Sequence, residues 1–181
     1  SVEGIPVMPH RAGIARAALL TLLLLLPVPH PGRAAPLPDW MQVDAEARLV
    51  RLHVIAAMDG TNGTFNFNGH ANGTLTITVP LGWRVEVKFT SPGGHYPHSL
   101  AIAEIENPMP PEGGKLAFPR AYTRDLVKGI LDDTDDFRFV ANREGKFWLF
   151  CGVTGHGYSG MWDYFVVSKE ATAPSVTVTP R

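Results

Sequence analysis

Cys151, His156 and Met161 stand at C-x4-H-x4-M spacing, so a thiol, an imidazole and a thioether fall within one short stretch between Phe150 and Trp162. Gly152, Gly155, Gly157 and Gly160 lie between them. A backbone this rich in glycine can fold tightly enough for the three side chains to meet at one point, and closing so short a loop costs little chain entropy. A fourth donor must come from elsewhere. His98 is the best placed, because it opens an expected strand, His98-Ser99-Leu100-Ala101-Ile102, and shares a face with Leu100 and Ile102. Two histidines, one thiolate and a weak axial methionine are the donor set of a mononuclear blue copper centre that transfers electrons. Thiolate and thioether are soft and hold Cu(I), and imidazole accommodates both oxidation states. Ligands fixed by strands before the metal arrives need little rearrangement when its charge changes.

Other readings use the same residues less completely. A Cys/His hydrolase has a nucleophile and a base, but leaves His98 and Met161 without a role. A dinuclear copper centre needs a second cysteine, and Cys151 is the only one. Copper trafficking or storage shares the ligand set and is the competing function. Methionine-rich open sites favour it, and after residue 35 there are only Met41, Met58, Met109 and Met161. His95, three residues before His98, is the alternative ligand, but sits in a Gly-rich loop. His53 reads as an outward or satisfied strand residue, and His70 as part of a turn.

The elements that must hold these groups are strands. Apolar and polar residues alternate with period 2 in 47–57, 74–79, 83–90, 98–105, 137–141, 146–151 and 161–167. In the third of these Arg84, Glu86 and Lys88 interleave with Val85, Val87 and Phe89. Turn-forming stretches separate the strands, among them Asn68-Gly69, Pro80-Leu81-Gly82 and Glu144-Gly145. Short strands with frequent turns predict an all-β fold, an antiparallel Greek-key β-sandwich. Residues 36–170 are expected to form that domain, with an excursion at 106–136 and a C-terminal tail at 171–181 in which 175–178 pairs as an edge strand. Within the excursion, 123–131 is expected to make a helical turn or two. The acidic run 132–136 reads as a solvated turn, since it lacks the glycine and terminal glutamate of a calcium loop. Asn62-Gly63-Thr64 and Asn72-Gly73-Thr74 match the glycosylation sequon, and both turns are expected to be exposed.

Composition narrows the function further. The 181 residues include 16 Lys+Arg, 17 Asp+Glu and no basic block, which excludes electrostatic capture of nucleic acid. At this length one domain with a full core is expected. Residues 1–35 are read apart from it: Arg11 and Arg16 precede the apolar run 17–28, which ends among Pro27, Pro29 and Pro31 and is followed by Gly32-Arg33-Ala34-Ala35. That is the order of a secretory signal peptide, with an uncleaved anchor, and so membrane attachment, as the alternative. Met8, just before the basic pair, marks the expected start. The protein is therefore expected to be exported, to the periplasm or another extracytoplasmic space. A lone thiol in such an oxidising compartment must be buried or bonded.

With these residues in view, the chain resembles the cupredoxins, and within them the sulfocyanin and rusticyanin group. The resemblance rests on Phe65-Asn66-Phe67-Asn68-Gly69, the strand through Thr76-Ile77-Thr78-Val79-Pro80, Pro97-His98-Ser99-Leu100, and the loop from Phe150 to Trp162. It implies one copper ion held by His98, Cys151, His156 and Met161. It also implies a monomeric electron carrier of a respiratory chain, not an enzyme, exchanging single electrons with partners such as a cytochrome or terminal oxidase. Ser99 is where this group places a hydrogen-bonding side chain near the thiolate. Sulfocyanins are typically held by an N-terminal membrane helix, and the apolar run here is shorter than such a helix. Phe147, Trp148, Phe150, Trp162 and Phe165 are candidates to surround the metal, with alternation allowing only some to face it. Pro97, Val153 and Tyr158 are expected to rim His156.

Overall fold

A computed structural model of the chain describes residues 36–180 other than residue 95, together with Ser1 and Gly4. The chain divides into two units, Ser1–Ala35 and Pro36–Arg181. The expected leader, its apolar run and His95 lie outside the described residues. Among the described residues no helix is long and apolar enough to cross a membrane.

The described residues form nine strands: β1 (Met41–Asp44), β2 (Leu49–Ile55), β3 (Leu75–Pro80), β4 (Arg84–Ser91), β5 (Ala101–Ala103), β6 (Asp133–Val140), β7 (Gly145–Phe150), β8 (Trp162–Ser168) and β9 (Ser175–Val178). They make a sandwich of two sheets, ordered β1-β2-β4-β6 and β5-β7-β8-β3-β9. The fold is all-β, as expected, and the pairing is mixed: β2 with β4 and β3 with β8 are parallel, the rest antiparallel. The chain passes from β2 to β3 in the other sheet and returns to β4, so β2 and β4 run the same way. Alternation records which face of a strand is buried and is silent about the direction of its neighbour.

The core is where the alternation put it. In one sheet Met41, Leu52, Val87 and Phe137 share a register row; in the other Phe147, Phe165, Ile77 and Val176 do. Phe139 meets Phe165 edge to face across the gap, with ring centroids 5.8 Å apart.

The excursion departs from expectation. It lies along β5, making isolated bridges from Leu116 to Ala103, Tyr122 to Ala101 and Ile130 to His98. Residues 123–131 form turns and no helix. One helical-type turn forms, closed by the Gly129 N–H to the Asp125 carbonyl at 2.6 Å. It is not continued because the neighbouring groups go to partners elsewhere: the Leu126 carbonyl accepts from Ser99 Oγ at 2.6 Å, and Ile130 exchanges backbone bonds with His98. A helix this short is not stable by itself, so such tertiary bonds decide the outcome. The acidic run is not a turn either, because β6 begins within it. Arg124 pairs there with Asp133 and, at 3.4 Å, with Asp135. These pairs are exposed and add little stability.

Candidate metal centre

Cys151 immediately follows β7, Met161 immediately precedes β8, and the Cys151 N–H donates to the Met161 carbonyl at 3.1 Å. The eleven-residue connection, 151–161, is therefore a closed loop at one end of the sandwich. Inside it the His156 N–H donates to the Val153 carbonyl and the Met161 N–H to the His156 carbonyl, each at 3.0 Å. Two of its glycines serve close approach. A Cβ on Gly152 would stand 2.7 Å from Leu126, and one on Gly157 would stand 2.6 Å from the Phe150 ring. The excursion braces the loop from outside, through Gly113 N–H to the Gly152 carbonyl and Gly155 N–H to the Pro111 carbonyl, both 2.8 Å.

The structure brings together all four side chains singled out in the sequence. One nitrogen each from His98 and His156 and the sulfur of Cys151 lie within 4.8 Å of one another. Cys151 Sγ is 3.4 Å from His156 Nδ1, and His98 Nδ1 is 3.1 Å from Met161 Sδ. First-row metals bind imidazole nitrogen and thiolate sulfur at about 2.0–2.3 Å, so separations of this size suit donors sharing one ion. His98, Cys151 and Met161 are fully buried, and His156 keeps 8% of its surface exposed.

The electrostatics of the cluster suit a cation. Burial pushes His98 down to about 4, with His156 adding to the effect, and burial lowers His156 as well. Both imidazoles are thus neutral and ready to donate a lone pair. Burial raises the Cys151 thiol, against the opposing pull of hydrogen bonds from the Ser99 and Val153 backbones and the Ser99 side chain. The thiol keeps its proton until a metal displaces it, and the Ser99 and Val153 backbone donors then meet a thiolate.

Ser99 carries more of the site than its place beside His98 announced. Its N–H points at Cys151 Sγ, 3.4 Å away; its hydroxyl donates to the Leu126 carbonyl at 2.6 Å and accepts from the Gly152 N–H at 3.0 Å. Ser99→Ala removes the partner of the buried Gly152 N–H and of the half-buried Leu126 carbonyl. The expected cost is about 1–3 kcal/mol, read as a lower denaturant midpoint of the metal-free protein with an unchanged slope.

The aromatic surround divides by alternation. Phe147 and Phe165 belong to the main core. Trp148 and Phe150 form a second cluster on the outer face of their sheet, with Met109, Trp162 and Tyr164 against it. The rings that meet the histidines come from elsewhere. Phe65 stands edge to face with His156 at 4.9 Å and stacks on Tyr96 at 5.7 Å. Phe65 lies in the Phe-Asn-Phe-Asn-Gly motif, whose position far from the ligand loop in sequence hid this contact. Of the expected rim, Val153 is nearly buried, while Tyr158 is exposed and its hydroxyl donates to the Met109 carbonyl at 3.0 Å. His53 is a satisfied strand residue, its Nε2 lying 2.9 Å from Thr90 Oγ1.

A buried His-Cys-His group with a thioether beside it, set in a loop at one end of a β-sandwich, defines a cupredoxin, a blue copper protein. Within that class the chain belongs to the sulfocyanin family: residues 39–178 match the sulfocyanin (SoxE) domain. It is 31% identical over 146 residues to the sulfocyanin of Sulfolobus acidocaldarius, covering 72% of this chain and 69% of that one. Among solved structures it is similar to an auracyanin from Roseiflexus castenholzii, at 19% identity and a TM-score of 0.47, covering 65% of this chain and 96% of that one. It is also similar to rusticyanin from Thiobacillus ferrooxidans, at 22% identity and a TM-score of 0.45, covering 72% and 87%.

Proposed function

We propose that the protein is an exported mononuclear type 1 copper protein and an electron carrier, not an enzyme. In this reading His98, Cys151, His156 and Met161 would hold one copper ion. It exchanges single electrons with redox proteins of a respiratory chain, such as a cytochrome or a terminal oxidase. The carrying observation is the convergence of these four donors in one water-poor site, with separations of 3.1 and 3.4 Å between facing donor atoms.

Copper bound there supplies a one-electron Cu(II)/Cu(I) couple. The chain's own part is to hold the ligands still. The closed β7–β8 loop fixes Cys151, His156 and Met161, the bridge to Ile130 fixes His98, and the Ser99 and Val153 donors balance the charge of the thiolate. Burial keeps water from the sulfur. His156 is the ligand with surface to offer a partner, through an edge flanked by Phe65 and Tyr96. Buried ligands also weigh against trafficking, in which metal must pass readily between open sites.

The test is expression of residues 36–181, titration with Cu(II), and stopped-flow mixing of the loaded protein with a reduced cytochrome c. An intense visible band saturating at one equivalent, followed by electron exchange without loss of copper, is expected. A colourless complex would sink the copper assignment, and copper lost to a chelating protein faster than electrons are exchanged would favour trafficking. Export is checked separately by N-terminal sequencing of the full chain after expression with a secretion pathway.

A further inference from the structure

The two Asn-Gly-Thr segments lie at partly exposed turns, with Gly63 and Asn72 exposed as expected, and both turns are also bonded to the ligand loop. In both, the asparagine and the glycine take positive φ: 53° and 62° at Asn62 and Gly63, 54° and 73° at Asn72 and Gly73. Asparagine and glycine are the residues that tolerate this left-handed backbone. Both turns face the end of the ligand loop. Asn62 Nδ2 donates to the Ser159 carbonyl at 2.7 Å and to the Phe65 carbonyl at 2.8 Å. Asn72 Nδ2 donates to Asn62 Oδ1 at 3.3 Å, which joins the two turns. The Asn72 N–H donates to the Gly160 carbonyl at 2.8 Å and the Gly73 N–H to the Trp162 carbonyl at 3.0 Å. Met161 is therefore gripped on both sides: the residue before it and the residue after it are each bonded to the Asn72-Gly73 turn. Gly160, at φ 87°, lies so close to the Asn72 carboxamide that any Cβ there would overlap it.

The turns are themselves anchored. Asn66 Oδ1 accepts from the Met58 and Gly69 N–H groups, and its Nδ2 donates to the Asp59 and Thr61 carbonyls. Asn68 ties the segment to β2, accepting from the Ile55 N–H at 2.6 Å and donating to the His53 carbonyl at 3.0 Å. Residues 57–74 thus form a lobe stiffened by asparagine side chains, fixed to β2 at one end and running into β3 at the other.

We propose that this lobe is a latch on the ligand loop, and that Asn62 and Asn72 are positioning residues that set the place of the Met161 thioether. The proposal rests on the reading of Met161 as axial ligand. The two sequons are then structural, and in Asn62 the latch uses the same nitrogen that a glycan would occupy. Axial sulfur placement bears on the balance between the copper oxidation states, and groups that orient a ligand affect metal binding nearly as directly as the ligand.

The test compares four copper-loaded full-length proteins: the wild type, Asn62→Gly, Met161→Leu and the double variant. Glycine accepts the positive φ of position 62, so the first substitution removes the carboxamide without adding backbone strain. Reduction potential, visible spectrum and copper affinity are measured for each. Asn62→Gly is expected to weaken copper binding about 10-fold to 100-fold and to change the Cu(II)/Cu(I) equilibrium about tenfold, which is about 59 mV for a one-electron couple. In the Met161→Leu background the same change should leave the potential where Met161→Leu already put it, because coupled residues act non-additively. A shift of equal size in both backgrounds, or no shift in a variant that has merely lost stability, overturns the latch. If Met161→Leu alone alters neither potential nor spectrum, the axial assignment itself has failed; if it alters them and Asn62→Gly does not, only the latch has. Should Asn62→Gly fail to fold, Asn72→Gly carries the same comparison, since it keeps the backbone bond to Gly160 and removes the carboxamide packed on it.

Discussion

Cys151→Ser is expected to abolish the visible charge-transfer band of the copper-loaded protein while leaving the metal-free fold intact. The substitution changes one buried atom. A serine hydroxyl fits where the thiol sits and accepts from the Ser99 N–H, which points at that position from 3.4 Å. The apoprotein therefore loses little. The metal site loses its soft anionic donor, because an alcohol does not ionise in a buried position where even the thiol is pushed upward. Removing an outer partner of a ligand already costs 10-fold to 100-fold in affinity by general experience, and loss of the thiolate itself should exceed that. The measurement is Cu(II) titration of both proteins, followed by visible absorption, with near-ultraviolet circular dichroism to check the fold. Colour retained by Cys151→Ser, or copper bound as tightly as before, would remove Cys151 from the site.

What the sequence disclosed about this site follows the reach of local pattern. Cys151, His156 and Met161 are legible because short spacing and interspersed glycines force them together, and His98 because it precedes an apolar strand. That strand is shorter than the expected 98–105, spanning Ala101–Ala103, and residues 98–103 are all buried, so alternation does not set the face of His98. The strand at β4 is legible by alternation: Arg84, Glu86 and Lys88 against Val85, Val87 and Phe89 leave one register open. β6 is partly hidden, since Asp133 to Asp136 carry the composition of a turn while pairing with Lys88 to Ser91 of β4. The excursion leaves no local signal at Leu126 and Ile130, whose partners Ser99 and His98 lie far away in sequence. Phe65 against His156 and Asn62 against Ser159 are likewise long-range contacts, one of shape and one of a side-chain amide to a backbone carbonyl. Neither leaves a periodicity to read. The site is thus assembled from four regions, the β7–β8 loop, the segment before β5 that carries His98 and Ser99, the excursion and the 57–74 lobe, of which only the first announces itself by spacing.

Phe165→Ala is expected to cost the metal-free protein about 3–5 kcal/mol, the usual range for deleting a large buried aromatic side chain. Phe165 is fully buried on β8, in register between Phe147 of β7 and Ile77 of β3, and its ring reaches Phe139 of the other sheet. Phe139 in turn stacks on Phe118 of the excursion at 5.1 Å. The side chain therefore joins both sheets and, through Phe139, the excursion that braces the ligand loop. Its neighbours are strand residues fixed by ladder bonds and cannot collapse far into the space, so the cavity term is paid nearly in full. Against a typical total of about 5–15 kcal/mol, this loss is large enough to lower the denaturant midpoint severely. The exposed Val140→Ala, on β6, serves as control and should stay within about 0.5 kcal/mol. Copper that binds only the folded state offsets the deficit by mass action, about 2.7 kcal/mol at one hundred times its dissociation constant, so the variant should depend on copper for its fold more visibly than the wild type. Its spectrum when loaded should be that of the wild type, because Phe165 supplies packing and no ligand. A midpoint close to that of Val140→Ala would show that the two sheets are not held together at this ring, and a changed spectrum in a stably folded variant would show that the core sets the copper geometry directly.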